Sequence, residues 1–189
     1  AGRAARDHPR GDGDAVLQVG DSVLADPCAV RFADDILIGT PSATRSLVQM
    51  YAATASPVLL LTRVPSRDVS RYGVVGVGTS GLNLPNLPNG VVHTITKIIE
   101  KPSRAEAPSN LAVVGGYILT PRVILNLKKI AESLPDDSKD AVRIAFGIEH
   151  EIRKGGSVYG WEFSLKRFDC GSIAGFKKAE AYLKMTKTK

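Results

Sequence analysis

Short runs of leucine and β-branched residues alternate along this chain with segments whose apolar residues recur at helical spacing. The strand-like runs fall at 57–64, 91–99, 112–119 and 158–163. Pro121 stands where one helix should begin, and Ser42 offers a cap for another. This alternation predicts an α/β fold with a mostly parallel sheet, helices on both faces and an added antiparallel hairpin that turns at 81–90.

The composition fits one globular domain. The chain has 189 residues, of which 43% are hydrophobic, enough for a substantial core. The sequence predicts a poorly ordered segment at 1–12, the folded domain at 13–186 and a basic tail at 187–189. The longest apolar run, at 58–61, is too short to span a bilayer, and 1–10 lack the apolar stretch of a secretory signal. We therefore expect a cytoplasmic protein that does not contact a membrane.

Charge and metal-binding residue types narrow the classes of partner. The net charge of +6 could favour binding to a nucleic acid. Much of the excess of Lys and Arg, however, lies near the two ends of the chain, where solvated tails are common. A nucleotide or sugar-phosphate ligand would also favour a positive cleft. Cys28 and Cys170 lack zinc-binding spacing and predict two reduced thiols. We expect no nucleic-acid partner.

Glu100 and Lys101 stand side by side where a predicted strand ends and a Pro-marked loop begins. Ligands bind at the carboxyl ends of strands in open α/β sheets, so this position favours a binding role. A carboxylate accepts hydrogen bonds from sugar hydroxyls, and an ammonium is a point charge for phosphate. The alternative is a surface ion pair, which contributes at most about 1 kcal/mol. The pair suggests recognition of a sugar phosphate.

Asp34 and Asp169 each follow a short predicted strand and precede a helix. Carboxylates at such positions can hold Mg²⁺, which prefers one or two protein carboxylates together with phosphate oxygens. Each also has a purely structural interpretation, as a turn or helix cap for Asp34 and as charge compensation at a helix N-terminus for Asp169. Gly73 could likewise be a simple turn glycine.

Five segments occur in an order that carries a family resemblance. The longest is EKPSRAEAPSNLAVVGGYILTP, which begins at Glu100. The others are GDGDAVL from Gly11, FADDI from Phe32, RYGV from Arg71 and KRFDCGS from Lys166. Through these segments the chain resembles the sugar-1-phosphate nucleotidylyltransferases, most closely the bacterial UTP–glucose-1-phosphate uridylyltransferases.

The resemblance implies a Rossmann-like nucleotidyltransferase fold and the conversion of UTP and glucose 1-phosphate to UDP-glucose and pyrophosphate. It implies Mg²⁺ held by Asp34 and Asp169, which together with Lys101 form the expected catalytic set. It also implies a homo-oligomer as one possible assembly. The substrate-binding set that it implies is Gly11, Gly13, Tyr72, Gly73, Glu100, Lys101, Val114, Gly115 and Lys166.

The chain also departs from the family pattern. The glycine-rich GxGTRxxP loop that grips the triphosphate in relatives has no counterpart in these 189 residues, so the chain resembles an N-terminally incomplete member. Asp14 replaces the histidine of the GLGHA loop, and Gly116 replaces the arginine of the VGRY motif. The stretch 140–148 replaces GEIQLTDAI. We therefore expect weak turnover by this chain alone, and the alternative function is a nucleotide-sugar or sugar-phosphate binding module with impaired catalysis.

Overall fold

The computed structural model describes residues 10–20, 25–78, 90–135 and 140–187. The helices are α1 (Asp12–Leu17), α2 (Ala43–Thr54), α3 (Pro121–Ser133), α4 (Ile144–Arg153) and α5 (Ile173–Lys187), with a 3₁₀ helix at Ser66–Arg71. The strands are β1 (Cys28–Arg31), β2 (Asp35–Ile38), β3 (Val58–Arg63), β4 (Gly73–Gly78), β5 (Gly90–Glu100), β6 (Leu111–Leu119), β7 (Tyr159–Phe163) and β8 (Lys166–Asp169). The predicted α/β class is confirmed.

Six strands form the main sheet in the order β1-β6-β3-β7-β5-β4. The prediction of a mostly parallel sheet is wrong for the described strands, because only β3 and β7 pair in parallel and the other pairings are antiparallel. The prediction assumed a helical crossover between successive strands, which parallel neighbours need. No α-helix is described between β4 and β5 or between β5 and β6.

The predicted hairpin joins β4 to β5. These strands are antiparallel, with Gly73 opposite Glu100 and Gly78 opposite Thr94. Its predicted tip lies outside the described residues, apart from Gly90, which begins β5. Strand β5 also pairs with β7, so the hairpin belongs to the main sheet and is not an addition at its margin.

Helices cover both faces of the sheet, as predicted. On one face, α2 packs Leu47 and Met50 against Leu60 and Trp161. Ser42 caps this helix by accepting a hydrogen bond from the Arg45 N–H. On the other face, α1, α3 and α4 share a second apolar cluster with side chains of β3, β5 and β6. All nine residues of β6 are buried between the two layers.

A separate two-stranded ribbon, β2 with β8, stands beside the main sheet and carries α5. Ile173, Phe176, Ala179 and Leu183 recur at helical spacing and predict an inward face for α5. Of these four, Ala179 is buried as predicted, but Ile173 and Phe176 are 77% and 56% exposed. Tyr182 instead contacts the Phe168 ring of β8. Helix α5 has 15 residues, and no helix within the described ranges is long and apolar enough to cross a membrane.

Candidate active site

A cavity of about 270 Å³ opens where the ends of β4 and β5, the middle of β6 and the β2–β8 ribbon meet. It is lined by Asp12, Phe32, Asp34, Asp35, Arg71, Tyr72, Gly73, Glu100, Lys101, Val113, Val114, Gly115, Tyr117, Arg143, Arg167 and Asp169. Eight residues predicted from the sequence are in this set: Asp34, Tyr72, Gly73, Glu100, Lys101, Val114, Gly115 and Asp169. The structure therefore brings the acid–base pair and the two separate aspartates to one cavity.

Glu100 and Lys101 stand at the end of β5, next to the start of β4. A side chain at Gly73 would place its Cβ 3.2 Å from Glu100 Oε2, so glycine leaves room for this carboxylate. The Lys101 N–H donates to the Tyr72 carbonyl oxygen over 2.9 Å. Lys101 has a φ of 47°, a left-handed conformation that is unusual for a residue with a Cβ. Such strain recurs at ligand sites, where the surrounding structure maintains it.

Burial raises the pKa of the Glu100 carboxyl, and the negative charge of Asp12 raises it further. The positive charges of Arg143 and Lys101 oppose that shift. Desolvation makes the free carboxylate less favourable, and hydrogen bonds from a ligand would compensate for the lost water. This environment suits a group that accepts hydrogen bonds from hydroxyls.

Asp34 and Asp169 meet at the other end of the cavity. The Cys170 N–H donates to the Asp34 carbonyl oxygen over 2.7 Å, which holds the two segments together. A Cβ placed on Gly171 would lie 3.2 Å from Asp34 Oδ2 and 3.2 Å from Asp169 Oδ1, so both carboxylates approach the same point. Asp169 Oδ1 also accepts a hydrogen bond from the Gly171 N–H.

Two arginines neutralise this acidic end. Arg167 Nε contacts Asp35 Oδ1 at 2.6 Å, and its Nη2 lies 3.9 Å from Asp169 Oδ2. Arg71 Nη2 lies 3.5 Å from the same Asp169 oxygen. Both guanidinium groups also lie over the Tyr72 ring. Burial raises the pKa of the Asp35 carboxyl, although the hydrogen bond from Arg167 opposes the shift.

The donor set at this end fits a magnesium ion that is completed by a ligand. The described residues contain no group of three or more His, Cys, Asp or Glu side chains able to hold a metal by themselves. Mg²⁺ does not need such a cage, because it usually keeps several waters and takes one or two carboxylates plus phosphate oxygens. Asp34 and Asp169 would supply the two carboxylates. Their approach to one point near Gly171 is compatible with a shared ion.

Three predicted residues do not line the cavity. Gly11 and Gly13 pack against the backbone of Val142, and a Cβ on either would come within 3.0 Å of the Val142 carbonyl oxygen. Lys166 places its Nζ 4.2 Å from the centre of the Tyr182 ring. Side chains alternate along a strand, so Arg167 and Asp169 share the cavity face of β8 while Lys166 faces α5. Arg167 replaces Lys166 among the candidate residues.

Other lining residues were not in the predicted set. Asp12 lies between the two predicted glycines of the GDGDAVL segment, and Arg143 lies in the stretch 140–148 that departs from the family pattern, but neither residue itself was in the predicted set. Tyr117 and Phe32 form an aromatic pair with ring centres 6.0 Å apart. A Cβ on Gly115 would come within 2.7 Å of Asp35 Oδ2, which explains why this strand carries glycine at the cavity. The alternation of β8 could have indicated Arg167, whereas Asp12 and Arg143 required the tertiary structure.

Comparison with known proteins places the chain among enzymes of one class. A UTP–glucose-1-phosphate uridylyltransferase 2 of Streptococcus pyogenes serotype M3 is 33% identical over 175 residues, which cover 90% of this chain and 54% of the relative. A crystal structure of UDP-glucose pyrophosphorylase complexed with UDP-glucose is 28% identical with a TM-score of 0.77, and the match covers 95% of this chain and 64% of that one. UTP-bound UGPase from Acinetobacter baumannii is 26% identical with a TM-score of 0.71, over 90% of this chain and 55% of that one.

The chain thus spans about half the length of the curated relatives that it matches. The family model described as nucleotidyl transferase matches residues 3–183. These residues include every strand and all but the last turn of α5. The fold, the sequence relatives and the family model agree, and this chain belongs to the nucleotidyl transferase family.

Proposed function

We propose that the protein to which this chain belongs transfers a uridylyl group from UTP to glucose 1-phosphate. A phosphate oxygen of glucose 1-phosphate attacks the α-phosphorus of UTP, the bond from that phosphorus to the β-phosphate oxygen breaks, and pyrophosphate leaves. The products are UDP-glucose and pyrophosphate. The curated relatives carry the name of this activity, and because the chain spans about half of their length, the activity is proposed for the whole protein.

The sheet end of the cavity would hold the sugar. Glu100 accepts hydrogen bonds from sugar hydroxyls, and Lys101 attracts the phosphate. Tyr72 and Gly73 form the adjacent wall, where the absence of a side chain at Gly73 leaves space beside Glu100 Oε2. Fixing the acceptor in this way converts the encounter of two substrates into a positioned reaction.

The ribbon end would hold the phosphates being exchanged. Asp34 and Asp169 would bind Mg²⁺, which when bound supplies positive charge to phosphate oxygens. Arg71 and Arg167 keep the carboxylates of this end partly neutralised, at 3.5 Å and 2.6 Å from Asp169 and Asp35. This reduces the repulsion that an anionic ligand would meet.

One observation carries the proposal: the Glu100–Lys101 pair and the Asp34–Asp169 pair line the same cavity. Residues this far apart in the sequence have no structural need to converge on an open cavity. A sugar phosphate and a nucleotide-bound metal would use both pairs at once.

A second candidate is a binding module that holds UDP-glucose without transfer. It is favoured by the cation count, because two of the four lining cations, Arg71 and Arg167, are already paired with acids. The other two lining cations, Lys101 and Arg143, form no ion pair within 4.0 Å among the described residues, although the charge of each opposes the rise in the pKa of Glu100. A triphosphate demands more compensating charge than a diphosphate sugar does.

Calorimetric titration of the chain with UDP-glucose, in the presence and absence of Mg²⁺, tests both candidate functions. The variant Asp169→Asn should weaken Mg²⁺-dependent binding by at least about tenfold. Glu132→Gln, an exposed acid on α3 away from the cavity, is the matched control and should leave binding unchanged. Absence of UDP-glucose binding to the unmodified chain would refute both candidates.

Assay of pyrophosphate release from UTP and glucose 1-phosphate separates the two. Release that depends on Mg²⁺ and is lost in Asp169→Asn supports the enzyme. Binding of UDP-glucose without pyrophosphate release supports the module and contradicts the enzyme.

A further inference from the structure

Two arginines line the acidic end of the cavity, and they are held very differently. The Arg167 side chain is 16% exposed and lies 2.6 Å from that of Asp35, which is itself only 10% exposed, so this ion pair is short and largely buried. The Arg71 side chain is 62% exposed, and its Nη2 lies 3.5 Å from Asp169 Oδ2. Exposed ion pairs are weak, whereas breaking a buried one is costly. Arg71 can therefore leave Asp169 far more easily than Arg167 can leave Asp35.

Asp169 is one of the two carboxylates on which the proposed function places the divalent ion. Its Oδ1 accepts a hydrogen bond from the Gly171 N–H at 3.1 Å, and its Oδ2 lies 3.5 Å from Arg71 and 3.9 Å from Arg167. A divalent ion shared by Asp34 and Asp169 would bring two positive charges to the same carboxylate and repel the neighbouring guanidinium groups. Arg167 remains held by Asp35, so Arg71 is the cation that would be released.

The local structure keeps Arg71 at the cavity when its ion pair breaks. Arg71 is the last residue of the 3₁₀ helix, and the chain continues directly into Tyr72 and Gly73, which also line the cavity. The Tyr72 N–H donates to the Val69 carbonyl oxygen over 3.2 Å, which fixes the backbone at this point. The Arg71 guanidinium carbon lies 5.6 Å from the centre of the Tyr72 ring, and an aromatic face attracts a cation at this distance. A released guanidinium would therefore remain beside the acidic end of the cavity.

A phosphate group is a well-matched partner for such a guanidinium, because its oxygens accept two parallel hydrogen bonds from the guanidinium fork. We infer that Arg71 is a transferable phosphate ligand, which pairs with Asp169 in the ligand-free protein and moves to a phosphate of the nucleotide sugar when Asp169 binds the divalent ion. This inference rests on the proposed function. It adds one cation to those that face the phosphates, at the stage when the metal and the nucleotide are both bound.

The variant Arg71→Gln tests the inference through two measurements of opposite expected sign. Mn²⁺, which takes the same oxygen ligands as Mg²⁺, is titrated into the ligand-free chain, and the free ion is measured by electron paramagnetic resonance. The variant should bind Mn²⁺ about twofold to fivefold more tightly, because a competing cation is gone from Asp169. In calorimetry with saturating Mn²⁺ it should bind UDP-glucose at least about tenfold more weakly, because a charged contact to phosphate is lost.

Two further variants separate the guanidinium of Arg71 from positive charge in general. Arg71→Lys keeps the charge without the planar fork and should lie between the unmodified chain and Arg71→Gln in both measurements. Arg67→Gln is the matched control, because Arg67 stands on the same 3₁₀ helix, is 83% exposed, and is not among the residues that line the cavity. It should change neither affinity. If Arg67→Gln reproduces both shifts, the effect belongs to surface charge and the inference is overturned.

Tighter Mn²⁺ binding together with weaker UDP-glucose binding supports the inference, and the tighter ion binding also shows that Arg71→Gln is folded. Unchanged or weaker Mn²⁺ binding would show that Arg71 does not compete with the ion at Asp169. Unchanged or stronger UDP-glucose binding would show that Arg71 does not reach the phosphates. Either result overturns the inference while the proposed function stands. Failure of the unmodified chain to bind UDP-glucose overturns both.

Discussion

The cavity joins two regions that handle charge in opposite ways. The main sheet is densely buried, with Val58, Leu59, Leu60 and Leu61 of β3 fully inaccessible to solvent. At its edge of the cavity, Glu100 and Lys101 are without an oppositely charged partner within 4.0 Å in the described part of the chain. The β2–β8 ribbon is half-exposed along its length, and its Asp35 and Asp169 are paired with arginines.

The difference shows how a fold can hold groups that are unfavourable by themselves. A rigid, well-packed sheet can hold a desolvated carboxylate and a lysine with left-handed backbone conformation. The free energy lost by unfolding the sheet would far exceed the free energy gained by relaxing either group. A half-exposed ribbon has less packing energy to offset such costs, so its charges are compensated locally. The sheet therefore positions ligand-binding groups, and the ribbon supplies carboxylates whose repulsion is already reduced.

Core truncation should show the contrast in packing most strongly. Leu60→Ala removes a fully buried side chain that contacts α2 and should reduce the free energy of unfolding by about 2–5 kcal/mol. Leu37→Ala on the half-exposed β2 should cost roughly 1 kcal/mol, because less apolar area returns to water. Urea denaturation measures both, and Leu125→Ala on the exposed side of α3 is the control. Equal losses for Leu60 and Leu37 would remove the distinction between sheet and ribbon.

Much of the architecture could be predicted from the sequence, because it is encoded locally. The run at 57–64 gave β3, and Pro121 and Ser42 correctly marked the beginnings of α3 and α2. The direction of the strands could not be predicted from alternation, since pairing is decided by contacts between distant segments. The predicted inward face of α5 was also largely wrong, because helical periodicity identifies an apolar stripe on a helix but does not show whether another surface covers it.

The candidate site divides in the same way. Motif positions at strand ends led to Asp34, Glu100, Lys101 and Asp169, which the structure brings to one cavity. Asp12 lies inside a quoted motif and Arg143 inside a stretch that departs from the family pattern, but nothing local indicated that the two share a cavity. They reach it because the segment around Val142 packs on α1. The roles of all these residues remain predictions that binding experiments can decide.

The left-handed backbone conformation of Lys101 allows a second test of whether the packed sheet maintains strain at the cavity. Lys101→Gly and Lys101→Ala both remove the cation and should weaken binding of UDP-glucose to a similar extent. The left-handed φ of 47° is strained for alanine and relaxed for glycine, so the glycine variant should be the more stable of the two by about 1 kcal/mol. Thermal and urea unfolding compare the pair directly. Greater stability of the alanine variant would show that the strain is not maintained in solution.

The smallest expected effect is the pH dependence that Glu100 contributes. Its pKa is raised in the folded protein above the ordinary value of 4.5, chiefly by burial, so the folded state binds the proton more tightly than the unfolded state. The stability of the unmodified protein should therefore fall, relative to Glu100→Gln, as the pH rises from about 4.5 through the raised pKa. The difference should stay below about 1 kcal/mol, because Glu100 is only half-buried and solvent screens it. Glu106 provides a control of opposite sign, because hydrogen bonding from Ser103 to its carboxylate lowers its pKa. The unmodified protein should therefore gain stability relative to Glu106→Gln as the pH rises through the titration range of Glu106. If the stability of Glu100→Gln relative to the unmodified protein decreases with rising pH, the Glu100 carboxylate is stabilised by a compensating partner. The charge at the sheet end of the cavity would then be neutralised locally, as it is in the ribbon.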